Sequence, residues 1–303
     1  MRPGERLEDR FEIEQPIGSG GMGTVFRAHD PISRGAVAVK VISGDQGHVT
    51  GRFAREVKVL AELSHPGIVR YISHGTTPSG ELFLVMEWLD GETLKSRLQR
   101  GPLSASDAVV LATRVAGALG AAHALGIVHR DLKPSNLFLP GGRVDQVKLL
   151  DFGIAQREGK TQLTHSGVML GTLGYMAPEQ ARASGLIDAR ADVFALGCVV
   201  FQCLTGAPAF DGDTAAAILA KILFDPAPRV SELWPGVPEN LDALVAQMLS
   251  KDPALRPSDG ANLAAALAAL GPLTQTTGPR ERPARARAST TGERRLLAVV
   301  MLG

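Results

Sequence analysis

The chain has 303 residues, 45% of them apolar and 21% charged, with a formal net charge of +1. That length holds one large domain or two smaller ones with an ordinary core. The near-neutral balance gives no global attraction to nucleic acid or to an anionic membrane, so neither class of partner is expected.

The only cysteines, Cys198 and Cys203, lie in one apolar, helix-like run and point to different sides of it. This disfavours a disulfide and predicts two buried thiols in a reducing, cytoplasmic compartment. The N-terminal stretch lacks the apolar centre of a secretory signal. The longest internal apolar run, 193–204, is shorter than the ~18–20 residues that span a bilayer and reads as a core helix.

In chain order, residues 10–90 alternate short β-type runs with turns: strands at 11–16, 24–29, 36–42, 68–74 and 82–88. One charged helix is predicted at 51–63, with Phe53, Val57 and Leu60 at helical spacing. The pattern predicts a small, mostly antiparallel sheet lobe with one main helix. After Gly91 the character changes to a larger, mainly helical lobe over 91–270. Its helices are predicted at 105–125, 192–204, 213–224, 239–249 and 259–270, with short strands at 137–139 and 147–150. Gly271-Pro272 is a stop signal. The fold class is α+β over 10–270. Residues 271–295, rich in Pro, Thr and Arg, read as a basic linker. Residues 296–303 are apolar and read as the start of a further segment. A first strand of another domain, a membrane helix with its basic flank and a short tail all fit, and only the second would bring a membrane into play.

Gly18-Ser19-Gly20-Gly21-Met22-Gly23-Thr24-Val25 is a G-x-G-x-x-G-x-V run followed by a strand. A strand–turn–strand lid of this kind lets backbone amides approach phosphates, although an ordinary Gly-rich hairpin has the same composition. Val37-Ala38-Val39-Lys40 ends in a lysine on an apolar strand. A buried lysine needs a partner, and Glu56 on the charged helix is the candidate; a solvated strand-end charge is the alternative. His129-Arg130-Asp131-Leu132-Lys133-Pro134-Ser135-Asn136 carries the strongest signal. Phosphoryl transfer needs a carboxylate to orient the attacking hydroxyl, a cation to offset charge on the moving group, and an oxygen ligand for a metal ion. Asp131, Lys133 and Asn136 supply these within six residues. Asp151-Phe152-Gly153 follows a strand, where Asp151 can bind a phosphate-bridging metal. His65, His123 and His129 form no metal-ligating set.

With Ala177-Pro178-Glu179, these motifs in this order resemble the protein kinase signature set, and most closely the bacterial eukaryotic-like (Hanks-type) Ser/Thr protein kinases. The resemblance covers 10–270. It implies a bilobal protein kinase fold and transfer of the γ-phosphoryl of ATP to Ser/Thr hydroxyls of protein substrates, with Mg²⁺ or Mn²⁺. It implies that Ile17 and the loop from Gly18 to Gly23 cover the nucleotide, with Val25 and Ala38 above the adenine and Phe138 below. Met86 matches the gatekeeper, with Glu87, Trp88 and Leu89 as the hinge. Asp192 matches a buried carboxylate that holds the catalytic loop, and Arg256 a partner of Glu179. Thr172, in the peptide-docking segment Gly171 to Tyr175, is expected near Asp131 and Lys133. Thr164 and Ser166 fall where related kinases autophosphorylate, which implies a kinase–kinase contact and a phosphate pairing with Arg130. Lys40, Glu56, Asp131, Asn136 and Asp151 are all present, favouring an active enzyme over a pseudokinase scaffold. The docking segment favours protein over small-molecule substrates.

Overall fold

The computed structural model describes residues 1–20, 23–42, 63–152, 170–182 and 187–272. The predicted helix over 51–63 lies outside them except for its last residue, Leu63, as do the linker beyond Pro272 and the segment 296–303.

The N-terminal lobe is an antiparallel sheet of β1 (Arg6–Leu7), β2 (Phe11–Gly20), β3 (Gly23–Asp30), β4 (Gly35–Ile42), β5 (Tyr71–Thr76) and β6 (Leu82–Glu87), in the order β1-β2-β3-β4-β6-β5. Strand periodicity sorts the side chains onto two faces. Val37, Val39 and Val41 of β4 join Phe83 and Val85 of β6, Phe26 of β3 and Phe11 and Ile13 of β2 in a buried core. Burying each such side chain contributes roughly 1.5–3 kcal/mol. The intervening residues Ala38 and Lys40 take the other face, paired in register with Met86 and Leu84. One alternation thus builds both the core and the roof of the cleft beneath it.

Three details depart from the sequence expectation. β1 was not anticipated; it turns into β2 through Glu8 and Asp9, both in the left-handed region (φ 50° and 53°), with the Arg10 N–H donating to Leu7 O at 3.0 Å. β2 runs past Pro16, because register shifts between Ile13 and Gln15 and between Pro16 and Gly18 accommodate a residue without an N–H. The strand expected at 68–74 begins only at Tyr71. Residues 67–70 leave the sheet, and Ile68 forms a parallel bridge to Leu149 of the other lobe.

The C-terminal lobe opens with β7 (Gly91–Thr93) and α1 (Leu94–Leu98) and is centred on α2 (Ala105–His123). β8 (Leu137–Pro140) and β9 (Lys148–Leu149) complete a three-stranded sheet, β7-β8-β9. Then come α3 (Pro178–Ala181), α4 (Ala189–Thr205), α5 (Ala215–Phe224), α6 (Val230–Leu233), α7 (Glu239–Met248) and α8 (Gly260–Ala268). Side-chain caps start the long helices: Ser104 on Asp107 N, Asp188 on Arg190 N, Thr214 on Ala217 N and Asp259 on Asn262 N. Gly206, at φ 73°, ends α4. α2 is long and apolar enough to cross a membrane, but one face of it, including Leu111, Val115 and Leu119, is buried in the core of this lobe. Cys198 and Cys203 are buried and unpaired, and burial pushes the Cys203 thiol up to about 12.

α8 lies across α2 at very short range. A Cβ on Gly260 would stand 2.4 Å from Gly120 N and 2.5 Å from Ala116 O. Gly260→Ala is therefore expected to destabilise the fold by about 1–3 kcal/mol, read as a lower urea midpoint.

At the end of β3, buried Asp30 accepts from Arg10 Nε at 2.8 Å and Nη2 at 2.7 Å and caps the turn at Ile32 N. These bonds hold its carboxyl far below the usual range. A carboxyl depressed in the folded state contributes stability that is full above the unfolded value of about 3.9 and lost as pH falls below it. The gap in melting temperature between wild type and Asp30→Asn should shrink from about pH 5 to pH 3; a constant gap would contradict this role.

Candidate active site

The two lobes meet at a cleft lined by Val25, Ala38, Val69, Met86, Glu87, Trp88, Leu89, Phe138, Leu150 and Asp151. The walls are mostly apolar, with Glu87 and Asp151 as the acidic residues among them, as suits a flat heterocycle. Of the residues expected at a nucleotide, the structure brings Val25, Ala38, Met86, Glu87, Leu89 and Phe138 together here. Val69 and Leu150 were not anticipated. Both belong to the seam where Ile68 meets Leu149, which strand patterns alone do not reveal.

The described part of the glycine-rich run is the end of β2 and the start of β3, paired antiparallel. Gly18 pairs with Val25, Ser19 with Thr24 and Gly20 with Gly23; Ile17 is partly buried on the same strand. Gly21 and Met22 lie outside the described residues. Gly23 has φ 139°, and a Cβ there would stand 1.9 Å from Val41 O, so this glycine is demanded by the sheet itself.

The catalytic-loop residues converge. Lys133 Nζ lies 3.1 Å from Asp131 Oδ2. Asn136 Nδ2 donates to Asp131 O at 2.8 Å and to Oδ2 at 3.2 Å. Lys133 and Asn136 are buried, and the 3₁₀ turn Pro134–Asn136 leads directly into β8. The Lys40 ammonium, 6% exposed, pairs with Asp151 Oδ1 at 2.9 Å. Glu56, its expected partner, lies outside the described residues.

A buried network fixes this arrangement. Asp192 Oδ2 accepts from His129 N at 2.7 Å, and Oδ1 from Arg130 N at 2.8 Å. That grip holds Arg130 at φ 65°. The third contact is His123 Nε2 at 2.9 Å from Asp192 Oδ2. Because Gly260 N donates to His123 Nδ1 at 3.0 Å, the proton of this ring sits on Nε2 and points at Asp192. His129 is assigned in the same way. Asp131 N donates to its Nδ1 at 3.3 Å, so Nε2 donates to Leu150 O at 2.9 Å. The ring also packs on Phe152 at 4.9 Å between centroids. Leu150 N returns to Asn136 O at 2.9 Å. Asp151 follows at φ 48°.

Arg256 is buried and reaches both oxygens of Glu179, at 2.7 and 3.0 Å, as the resemblance implied. Gln180 Nε2 donates to Arg130 O at 2.9 Å, tying α3 to the catalytic loop. Thr172 lies in the 3₁₀ turn Leu170–Tyr175, but its side chain is outside the described residues. Thr164 and Ser166 lie outside them as well.

The chain was compared with known proteins. The protein kinase domain model matches residues 11–268. The serine/threonine-protein kinase PknD of Mycobacterium tuberculosis is 39% identical over 261 residues, covering 84% of this chain and 39% of PknD. A probable serine/threonine-protein kinase PknB of Lactococcus lactis is 38% identical over 254 residues, covering 82% of this chain and 40% of that protein. The chain thus spans about two fifths of the length of these relatives. Among solved structures, the PknI kinase domain of M. tuberculosis superposes with a TM-score of 0.70 at 26% identity, covering 89% of this chain and 98% of that one. With a family model spanning most of its length and a fold to match, this chain belongs to the protein kinase family, among the bacterial Hanks-type Ser/Thr kinases.

Proposed function

We propose that the chain is an active Ser/Thr protein kinase domain over residues 10–270, which moves the γ-phosphoryl of ATP onto Ser or Thr hydroxyls of other proteins. The observation that carries this reading is the convergence of Asp131, Lys133 and Asn136 within 3.2 Å, beside a cleft that ends at Asp151 and Lys40.

The donor set fits a hard divalent cation. Asn136 spends its amide N–H on Asp131, which leaves its amide oxygen as a ligand, and its backbone carbonyl accepts from Leu150, the residue before Asp151. Mg²⁺ commonly takes one or two protein carboxylates and completes its shell with substrate phosphates and water, and Mn²⁺ accepts the same ligands. When bound, the metal supplies charge neutralisation at the phosphates.

The chain's own residues do the rest. The Asp131 carboxylate accepts a hydrogen bond from the attacking hydroxyl and takes its proton as the new P–O bond forms and the bond from the γ-phosphorus to the bridging oxygen breaks, with ADP leaving. Lys133 offsets charge on the moving phosphoryl, and Lys40 presents a buried ammonium to the phosphates, oriented by Glu56. The loop from Ile17 through Gly18, Ser19, Gly20, Gly21, Met22 and Gly23 covers the phosphates. Val25 and Ala38 pack above the adenine and Phe138 below it. Backbone groups of Glu87 and Leu89 read its edge behind Met86, and Thr172 steadies Asp131 and Lys133. A phosphate placed on Thr164 or Ser166 by a second copy of the chain pairs with Arg130 and activates the enzyme. The buried, unpaired Cys198 and Cys203 fit a reducing cytoplasm.

Purified protein, first dephosphorylated, is to be incubated with Mg²⁺ and ATP beside Lys40→Met and Asp151→Asn, and phosphosites read by mass spectrometry. Wild type is expected to gain phosphate on Ser or Thr. Both variants should fold and lose turnover by roughly 10²–10³-fold or more. Substantial turnover in Asp151→Asn would refute the metal assignment. With Thr161, Thr164 and Ser166 all changed to Ala, activity should fall; full activity in that variant would remove the activation reading.

A further inference from the structure

Lys148 and Glu87 form an ion pair that joins the two lobes behind the cleft. Lys148 Nζ stands 2.7 Å from Glu87 Oε1, and both side chains are only 20% exposed. The same Oε1 accepts from Arg70 N at 2.7 Å, while Glu87 N donates back to Arg70 O at 2.9 Å. Glu87 is therefore locked to Arg70, at the end of the segment 67–70, through backbone and side chain together. That segment is in turn hydrogen-bonded to β9, with Val69 N on Leu149 O at 3.0 Å and Leu149 N on Gly67 O at 2.8 Å.

Each end of this connection bears on the cleft. Glu87 is the first hinge residue and lines the cleft at its adenine end. Lys148 is in β9, in register with Phe138 on the cleft floor, and three residues before Asp151. A nucleotide that reads the hinge with its base and the metal site with its phosphates needs both ends at one fixed separation. A surface ion pair contributes little to stability, about 0–1 kcal/mol. This one is mostly sheltered and shares its acceptor with a backbone amide, so its geometry is defined. Misplacement by about 1 Å between groups that must act together costs up to roughly 10²-fold in rate or binding.

We propose that Lys148 is a positioning residue: through Glu87 it sets the separation between the hinge and Asp151, so that both ends of ATP bind at once. This rests on the reading of the cleft as an ATP site. It predicts a pattern that loss of a plain structural brace would not produce. A ligand that uses only the hinge end should be indifferent to Lys148, while a ligand that must reach both ends should not.

The test compares adenosine with Mg²⁺·ATP, by competition binding and calorimetry, on wild type, Lys148→Met, Lys148→Arg, Glu87→Gln and the double variant Lys148→Met/Glu87→Gln. Lys148→Met is expected to weaken Mg²⁺·ATP about 5–20-fold, well inside the 10²-fold ceiling for such misplacement, and to change adenosine by less than about twofold. In turnover, KM for ATP should rise while kcat stays within about twofold of wild type. Lys148→Arg should restore most of the affinity, and the double variant should lose little more than either single one. If Lys148→Met melts too low to assay, Glu87→Gln carries the test, since its amide oxygen still accepts from Arg70 N. Equal weakening of adenosine and Mg²⁺·ATP, no weakening of either, or additive losses in the double variant would each overturn the proposal. Failure of wild type to bind Mg²⁺·ATP would instead overturn the reading of the cleft itself.

Discussion

The carboxylate of Asp192 is the point from which the catalytic apparatus hangs. It is buried in α4, and a buried charge is tolerable only when its lone pairs are used. Three N–H groups use them: the backbone amides of His129 and Arg130 and the ring of His123. Hydrogen bonds to a charged acceptor are each worth about 1.5–3 kcal/mol, enough to hold Arg130 in a left-handed conformation that a bulky residue avoids. From there the bonds continue through the His129 ring to Leu150, from Leu150 to Asn136, and from Asn136 to Asp131. The carboxylate assigned as base and the strand that delivers Asp151 thus share one anchor. His123 adds a third party, since the amide it accepts comes from the start of α8.

A second anchor is Arg256. All its polar contacts go to fixed acceptors: Glu179 twice, and the carbonyls of Ser250, Arg190 and Lys251. Its guanidinium also lies over the Phe194 ring at 4.9 Å. Only a planar fork with five donors can serve this many partners, and a lysine of the same charge could not. The result is that α3 is fastened to the helical core at Glu179. Gln180, next to it, is fastened to the catalytic loop.

Much of this was legible in the sequence because its signals are local. Alternation in β4 places Val37, Val39 and Val41 on one face and Ala38 and Lys40 on the other, whatever follows them in the chain. Caps such as Asp188 and Thr214 set helix starts within a few residues of the anticipated ones. Motif spacing gathered Asp131, Lys133 and Asn136 before any coordinates existed. What escaped was contact between distant segments. Glu87 and Lys148 are 61 residues apart, and His123 and Gly260 are 137 apart. Ile68 and Val69 have strand composition but pair across the lobes, a choice that propensity does not encode. Lys148 belongs to no motif, and nothing local marks it out from other charged residues on strands.

Leu150 has a consequence for how such a domain can change state. Both of its backbone groups are committed to the catalytic loop, the N–H to Asn136 and the carbonyl to the His129 ring. The backbone hydrogen bonds to the catalytic loop therefore end one residue before the carboxylate assigned to the metal, which is held instead through its side chain on Lys40. Any rearrangement downstream must be absorbed from the backbone torsions of Asp151 onward, beginning at a φ of 48° that already stores strain. A change of torsion at Asp151 alone would move that carboxylate while Asp131 keeps its contacts to Lys133 and Asn136, so the two acidic groups of the site are separable in position although they are neighbours in space.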